Sequence, residues 1–205
     1  MYSTGKFTKL VGIERNTMIV WLREGVAVPE GTEGRNNLFS REEVLTLRAI
    51  VPLYQDWGIG TDILKTLAAW IRDQLSVRAQ LGFDTPEETL RAIMAKRISA
   101  FLKGGDRNEG ALQAAIEMAD YAGLNLPDGW KENLDAPDLG QVEWDRLSTY
   151  ESIFDAASGK ANGFLSIARS GNEWKWFLEW GEAVSFDPDD SDCFIVVNLR
   201  KALAD

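Results

Sequence analysis

The polar residues with the most informative spacing lie in the stretch VGIERNTMIVWLREG, between Val11 and Gly25. Arg15, Asn16 and Thr17 fall near the start of a predicted helix, and Arg23 lies further along its exposed face. Side chains of these types donate hydrogen bonds to phosphate oxygens and to base edges in the major groove of duplex DNA. This spacing therefore predicts recognition of DNA.

The same helix carries two apolar residues where a positive charge would be expected. A period of 3.6 residues divides the helix into two faces. The face expected in the core consists of Met18, Trp21, Leu22 and Gly25. The outward face consists of Asn16, Ile19, Val20 and Arg23. On that face Ile19 and Val20 could contact the methyl groups of thymine, or they could bury against another protein element.

Cations and amides outside this helix complete the candidate interface. Arg35 and Arg41 could bind phosphates, as could Lys6 and Lys9, whereas asparagine adds neutral hydrogen bonds. The predicted DNA-binding residues are Lys6, Arg15, Asn16, Thr17, Ile19, Val20, Arg23, Arg35, Asn36, Asn37 and Arg41.

Catalysis and metal binding are poorly supported by the composition. The chain has no histidine and a single cysteine, Cys193, so Ser-His or Cys-His catalysis cannot be built within it. The acidic stretch from Asp187 to Asp192 lacks the glycine and glutamate of an EF-hand loop, so we interpret it as a solvated turn. We expect a protein that is not an enzyme, with no metal and no cofactor.

The 205 residues carry 22 basic and 32 acidic side chains, which gives a net charge of −10. Residues 1–75 hold nine of each, so the whole negative charge belongs to residues 76–205. The first part could approach DNA, whereas the second would be repelled by it. No run of apolar residues is long enough to span a membrane and no secretory signal is evident, so we expect a cytoplasmic protein without a membrane partner.

Short helices and a hairpin are predicted to position the candidate residues. Helices are expected over 5–10 and 15–24, with a turn at 11–13 between them and an exposed hairpin or loop over 29–37. Ser40 and Glu43 match a reciprocal capping box that starts the next helix. Its predicted buried stripe is Val44, Leu47, Ile50, Val51 and Tyr54. Pro52 should kink or interrupt this helix, and Thr61 can cap the following one.

The rest of the chain changes from helical to strand-like. Further helices are expected after a cap at Thr85, over 108–122 and around 144–157, with a loop over 124–140. The stretches GFLSIAR, WKWFLEW and CFIVVNL predict three antiparallel strands, with a turn at 170–173. One face of the second strand carries Trp174, Trp176 and Trp180. We interpret this face as packed on helices or on a second subunit, and a pocket for an aromatic or cationic ligand is the alternative.

These elements predict a mainly helical α+β fold in three parts: a DNA-binding domain over 1–75, a helical linker or dimerisation region over 76–140, and a small α+β domain with an antiparallel sheet over 141–205.

The first 75 residues resemble the winged helix-turn-helix domain of the MerR family. The matching residues are Tyr2, the stretch GKFTKLVGI, Thr17-Met18, Arg23-Glu24-Gly25, Thr32-Glu33-Gly34, Leu38-Phe39-Ser40 and Trp57-Gly58-Ile59. The resemblance implies a DNA-reading second helix and a wing at the hairpin. The chain departs from the family at Ile19-Val20-Trp21, where arginine and tyrosines are common, and at Asn37 in the wing. The family's long dimerisation helix and paired cysteines are not evident beyond residue 75.

The leading hypothesis is thus a sequence-specific DNA-binding transcriptional regulator of MerR-like type. It would bind double-stranded DNA as a homodimer, and its acidic C-terminal region could contact a protein partner or a small-molecule effector. A phage-type accessory for DNA architecture or packaging, like an excisionase or a small terminase subunit, is one alternative. The other is a protein-interaction module that uses the Ile19-Val20 face.

Overall fold

The computed structural model describes residues 1–82, 141–180 and 192–203, together with scattered helical positions between 88 and 119. Over these residues the chain has the predicted α+β fold, with helices and two three-stranded antiparallel sheets. The helices are α1 Thr4–Val11, α2 Arg15–Glu24, α3 Arg41–Gln55, α4 Thr61–Gln80, α5 Gln141–Ala157 and α6 Leu199–Leu203. The strands are β1 Tyr2–Ser3, β2 Gly31–Glu33, β3 Asn36–Phe39, β4 Gly163–Ser170, β5 Glu173–Trp180 and β6 Cys193–Asn198.

The chain forms two compact units. One unit combines residues 1–76 with 152–205, and the other comprises residues 77–151. The first unit is therefore discontinuous in sequence: the C-terminal sheet shares a core with the N-terminal helices.

The first sheet ties the N-terminus to the hairpin. β3 is its central strand, with β1 and β2 antiparallel on either side. The ring of Phe7 in α1 stacks on that of Phe39 in β3, with centroids 3.9 Å apart, and both side chains are fully buried. The hairpin is the one predicted, whereas β1, with only two residues, was not foreseen.

Helix α3 lies at the centre of the first unit. Val44, Leu47, Ile50 and Val51 are buried as predicted, but Tyr54 keeps about a third of its surface exposed at 36 %. Leu45, Ala49 and Leu53, on other faces, are also buried. The reason is that α1 packs on one side of α3 while α6 and β6 pack on another. Pro52 does not interrupt the helix, which continues through it and ends three residues later.

The second sheet has the order β5-β4-β6 and confirms the three strands predicted near the C-terminus. Its core face joins Leu165 to Val197 and Ile167 to Ile195 in antiparallel register, and these four side chains are almost fully buried. α6 and α3 pack near this sheet. Of the tryptophans predicted to share one face of β5, Trp176 contacts Trp70 of α4, with ring centroids 6.4 Å apart. Part of that face therefore packs on a helix, as expected.

Within the second unit, Leu147 and Tyr150 of α5 are fully buried, as is Ile98, while Arg146 Nη1 donates to Gln80 Oε1 at 3.0 Å. The predicted cap at Thr85 and loop over 124–140 lie outside the described residues, as does most of the acidic stretch that ends at Asp192. None of the helices in the described part of the chain combines the length and the apolar character that crossing a membrane requires.

Candidate nucleic-acid interface

A tight turn sets the angle between α1 and α2. Gly12 ends α1 in the left-handed conformation, with φ of 79°, and its N–H donates to the carbonyl of Thr8 at 3.1 Å. Gln55 Nε2 of α3 donates to the carbonyl of Gly12 at 3.2 Å. Because glycine adopts this backbone conformation without steric cost, the chain can reverse here and begin α2 three residues later.

The buried and exposed faces of α2 agree with the predicted periodicity. Met18 and Trp21 are 1 % and 0 % exposed, and Tyr54 packs edge-on against the Trp21 ring at 5.5 Å. Ile19 and Val20, by contrast, are 55 % and 36 % exposed. Leu22, expected in the core, is only half-buried. The two apolar side chains of the candidate interface therefore lie on the outer surface of the described residues.

The polar residues of α2 on either side of this apolar pair differ in their charge partners. Arg15 and Asn16 are exposed in the first turn, which contains no acidic residue, and Thr17 is half-buried. Arg23 in the last turn forms an exposed ion pair with Glu24 at 2.9 Å. Exposed pairs of this kind contribute little to stability, so the guanidinium can exchange Glu24 for another anion at small cost.

The β2–β3 hairpin presents Arg35 at its tip. Gly34, with φ of 60°, and Arg35 form its two-residue turn, and Glu33 pairs with Asn36 across it. Arg35 and Asn36 are exposed. Asn37 is half-buried within β3, and its carbonyl accepts a long hydrogen bond from Thr4 Oγ1 at 3.4 Å. Asn37 thus also helps to join the hairpin to the start of α1.

The remaining predicted cations contact aromatic rings within their own unit. Lys6 is exposed, with its Nζ 5.1 Å from the centroid of the Tyr2 ring. The guanidinium carbon of Arg41 lies 5.2 Å from the centroid of the Phe154 ring in α5. Both are within the range of a cation–π interaction. Arg41 is therefore held against the C-terminal part of the unit, although its side chain stays exposed.

A buried ion pair fixes the segment between α2 and the hairpin. Arg72 Nε donates to Glu43 Oε2 at 2.7 Å and Arg72 Nη2 donates to Glu43 Oε1 at 3.0 Å. The N–H of Val28 donates to Glu43 Oε1 at 2.8 Å, and Arg72 Nη2 also donates to the carbonyl of Val26 at 2.8 Å. The pair thereby joins α3, α4 and the chain that leads into β2.

This network corrects one half of the predicted capping box. Ser40 Oγ accepts from the N–H of Glu43 at 3.2 Å, as expected. The Glu43 side chain turns to Arg72 instead of returning to Ser40, because it is 3 % exposed and needs a cationic partner. Burial raises the pKa of the Glu43 carboxyl above its ordinary value, against the opposing effects of Arg72 and the Val28 N–H. A buried glutamate beside an arginine 29 positions later was not recognisable from the sequence.

No protein-family model, curated protein or solved structure matches this chain. Its function must therefore be inferred from its own residues. Within the described ranges, no three His, Cys, Asp or Glu side chains come together in a way that could hold a metal ion.

Proposed function

We propose that the protein is a sequence-specific DNA-binding transcriptional regulator whose residues 1–75 act as a MerR-like winged helix-turn-helix. The observation that carries this proposal is the outer face of α2, where Ile19 and Val20 remain exposed between Arg15 and Arg23. An apolar pair flanked by guanidinium groups suits a helix that enters a major groove.

Each part of this surface has a distinct contact to make. Arg15 and Asn16, at the start of α2, would reach base edges, since residues near the N-terminus of a recognition helix usually do so. Ile19 and Val20 would contact thymine methyl groups. Arg35 at the hairpin tip would bind the backbone as a wing does, and Lys6 would add a further phosphate contact.

A homodimer on two half-sites is part of the proposal. One module with so few cations neutralises few phosphates and would bind weakly at physiological salt. Two modules joined in a dimer roughly double the contacts, and their symmetry would be matched by a palindromic site.

The test begins with a selection of bound sequences from random duplexes by the full chain. We expect an enriched site whose affinity falls as salt rises. Arg15→Ala should weaken binding and relax the preference for the selected bases, whereas Arg35→Ala should weaken binding and reduce the salt slope by about 1. Lys175→Ala, at an exposed cation of β5, is the matched control and should leave affinity, base preference and salt slope unchanged. Failure of the selection to enrich any sequence would remove the proposal.

Replacing thymine by uracil in the selected site isolates the apolar contact. Uracil lacks the methyl group but keeps the hydrogen-bonding edge, so the loss should be confined to the positions that Ile19 and Val20 meet. In an Ile19→Ala variant the same replacement should cost less. If uracil lowers the affinity of Ile19→Ala and of the unsubstituted protein equally, Ile19 does not contact the thymine methyl group.

A second candidate, a protein-interaction module, is favoured by the acidic neighbours of the same face. Glu14 is exposed directly before α2, and Glu24 already neutralises Arg23. Ile19→Asp distinguishes the two functions: loss of a protein complex together with unchanged DNA binding would support the interaction module.

A further inference from the structure

A cavity of about 190 Å³ lies beside α3 within the first compact unit. Its walls come from both ends of the chain: Tyr2 of β1 and one face of α3 on one side, and Ala157 of α5 and Leu203 of α6 on the other. Of the described residues predicted to bind DNA, Arg41 lines it, whereas those of α2 and the hairpin do not. The cavity therefore needs an explanation of its own.

The wall that α3 contributes is amphipathic. Arg41, Val44, Leu45 and Arg48 follow the spacing i, i+3, i+4, i+7 and so lie on one face of the helix. Val44, Leu45 and Leu203 are buried and form a small apolar floor in a lining whose exposed surface is otherwise mostly polar. The two arginines lie at either end of that floor, about 10 Å apart along the helix axis.

The charge of the lining selects an anion. Among the described residues that line the cavity there are two guanidinium groups and no acidic side chain. Arg48 is half-buried and takes part in other interactions within the chain, so Arg41 is the cation on which the inference rests. The Phe154 ring beneath Arg41 limits its freedom, which prepares the guanidinium to bind a carboxylate through two N–H groups.

The volume selects a small ligand. A cavity of about 150 Å³ lined by apolar side chains is large enough to hold benzene. A space of about 190 Å³ has room for one ring, or a short alkyl chain, and a carboxylate. We propose that this cavity binds a small organic monoanion, with its apolar body on Val44, Leu45 and Leu203 and its carboxylate on Arg41.

This inference goes beyond the proposed DNA binding, and it is tested on the full chain without DNA. Benzoate is the probe, and the backbone amides of Val44, Leu45 and Leu203 are followed by heteronuclear NMR. We expect saturable shifts at these residues with a dissociation constant of about 1 mM or lower. Benzamide, which has the same shape without the charge, should bind at least about tenfold more weakly.

Two variants locate the contact. Arg41→Gln should weaken benzoate binding about tenfold, because the charge is lost while the length of the side chain is nearly kept. Lys175→Gln, a cation of the same unit outside the cavity, should bind benzoate as the unsubstituted protein does. The spectrum of Arg41→Gln without ligand confirms that the fold is retained.

Three results would overturn the inference. They are the absence of saturable shifts at these amides up to about 10 mM benzoate, equal affinity for benzoate and benzamide, and undiminished binding by Arg41→Gln. None of them depends on whether the chain binds DNA, so the two proposals can fail separately.

Discussion

Glu43 and Arg72 are unequal partners in their buried ion pair. Glu43 is 3 % exposed, whereas the Arg72 side chain keeps 26 % of its surface in water. Burial raises the pKa of Glu43 even with Arg72 beside it. The desolvation of the Glu43 carboxylate therefore costs more free energy than that of the Arg72 guanidinium, and the ion pair offsets part of this cost.

We predict that Arg72→Met destabilises the protein much more than Glu43→Gln does. Removing the arginine leaves a buried carboxylate that keeps the Val28 N–H but has no cationic partner, which costs about 3 kcal/mol at neutral pH. Glutamine removes the buried charge and leaves unpaired only Arg72, which keeps 26 % of its side-chain surface in water, so its cost should be well below this. Urea unfolding at pH 7 measures both values.

The pH dependence of the Arg72→Met variant has a definite sign. A carboxyl with a raised pKa binds a proton more readily in the folded chain than in the unfolded chain. The contribution of Glu43 to the free energy of unfolding is then most favourable below the ordinary pKa of 4.5 and is lost as pH rises through the raised pKa. The loss of unfolding free energy caused by Arg72→Met, relative to the unsubstituted protein, should become smaller between pH 7 and pH 4.5. In the double variant that also carries Glu43→Gln, this loss should no longer depend on pH. A deficit independent of pH would contradict this account.

Individual residues were predictable from the sequence where a local rule governs them. The outward position of Ile19 followed from helical periodicity, and the Ser40 cap followed from its spacing to Glu43. The partner of Glu43 and the contact of Arg41 with Phe154 were not predictable. They depend on residues 29 and 113 positions away that no local pattern indicates.

Helix α2 depends on Gly25 for its C-terminal end. Gly25 has φ of 77°, and its N–H, with that of Val26, donates to the carbonyl of Trp21. A β-carbon at Gly25 would also come within 3.4 Å of Lys65 Cε in α4. The last turn of α2, which carries Arg23, is thus closed by a residue whose conformation disfavours side chains.

Gly25→Ala should destabilise the protein by about 1–2 kcal/mol, because alanine is strained in the left-handed region. Gly5→Ala is the matched control: Gly5 lies in α1 with open space around its α-carbon, so alanine there should stabilise by about 0.5–1 kcal/mol. Thermal unfolding should show a lower midpoint temperature for Gly25→Ala and a higher one for Gly5→Ala than for the unsubstituted protein. A stabilising Gly25→Ala would show that α2 does not need this cap.

Long periodic elements were predictable and short ones were not. The bounds of α2 and the three C-terminal strands followed from periodicity and turn composition. β1 has two residues and α6 has five, so neither contains enough sequence for a period to be seen. The burial of α3 on several faces was missed for a different reason, since it comes from α6 and β6, more than 130 residues later.

At the scale of the whole chain, the first unit is organised around a core to which residues 1–76 and 152–205 both contribute. α6 packs on α3, and Leu203 is 1 % exposed. The N-terminal helices and the C-terminal sheet therefore belong to one compact unit.

Leu203→Ala should lower the stability of both segments of the first unit together. Removing a buried leucine side chain costs about 2–4 kcal/mol. Native-state hydrogen exchange gives the free energy of opening for the most protected amides of each segment. If the two segments unfold as one unit, this free energy should fall by the same amount in α3 and in β4. The control Val196→Ala, at a half-exposed position of β6, should change the opening free energies of α3 and β4 by less than about 1 kcal/mol. Unchanged protection in α3 alongside weakened protection in β4 would show that the two segments unfold separately.

The discontinuous first unit also constrains when the protein can become native during its synthesis. About 160 residues separate Leu45 in α3 from Leu203 in α6. At a translation rate of about 5–20 residues per second, α3 emerges from the ribosome roughly 8–30 s before the helix that covers it. Throughout that interval the apolar side of α3 is open to chaperones and to neighbouring nascent chains. The shared core thus leaves this side of α3 uncovered until Leu199–Leu203 has been synthesised, so the first unit cannot be completed before that point.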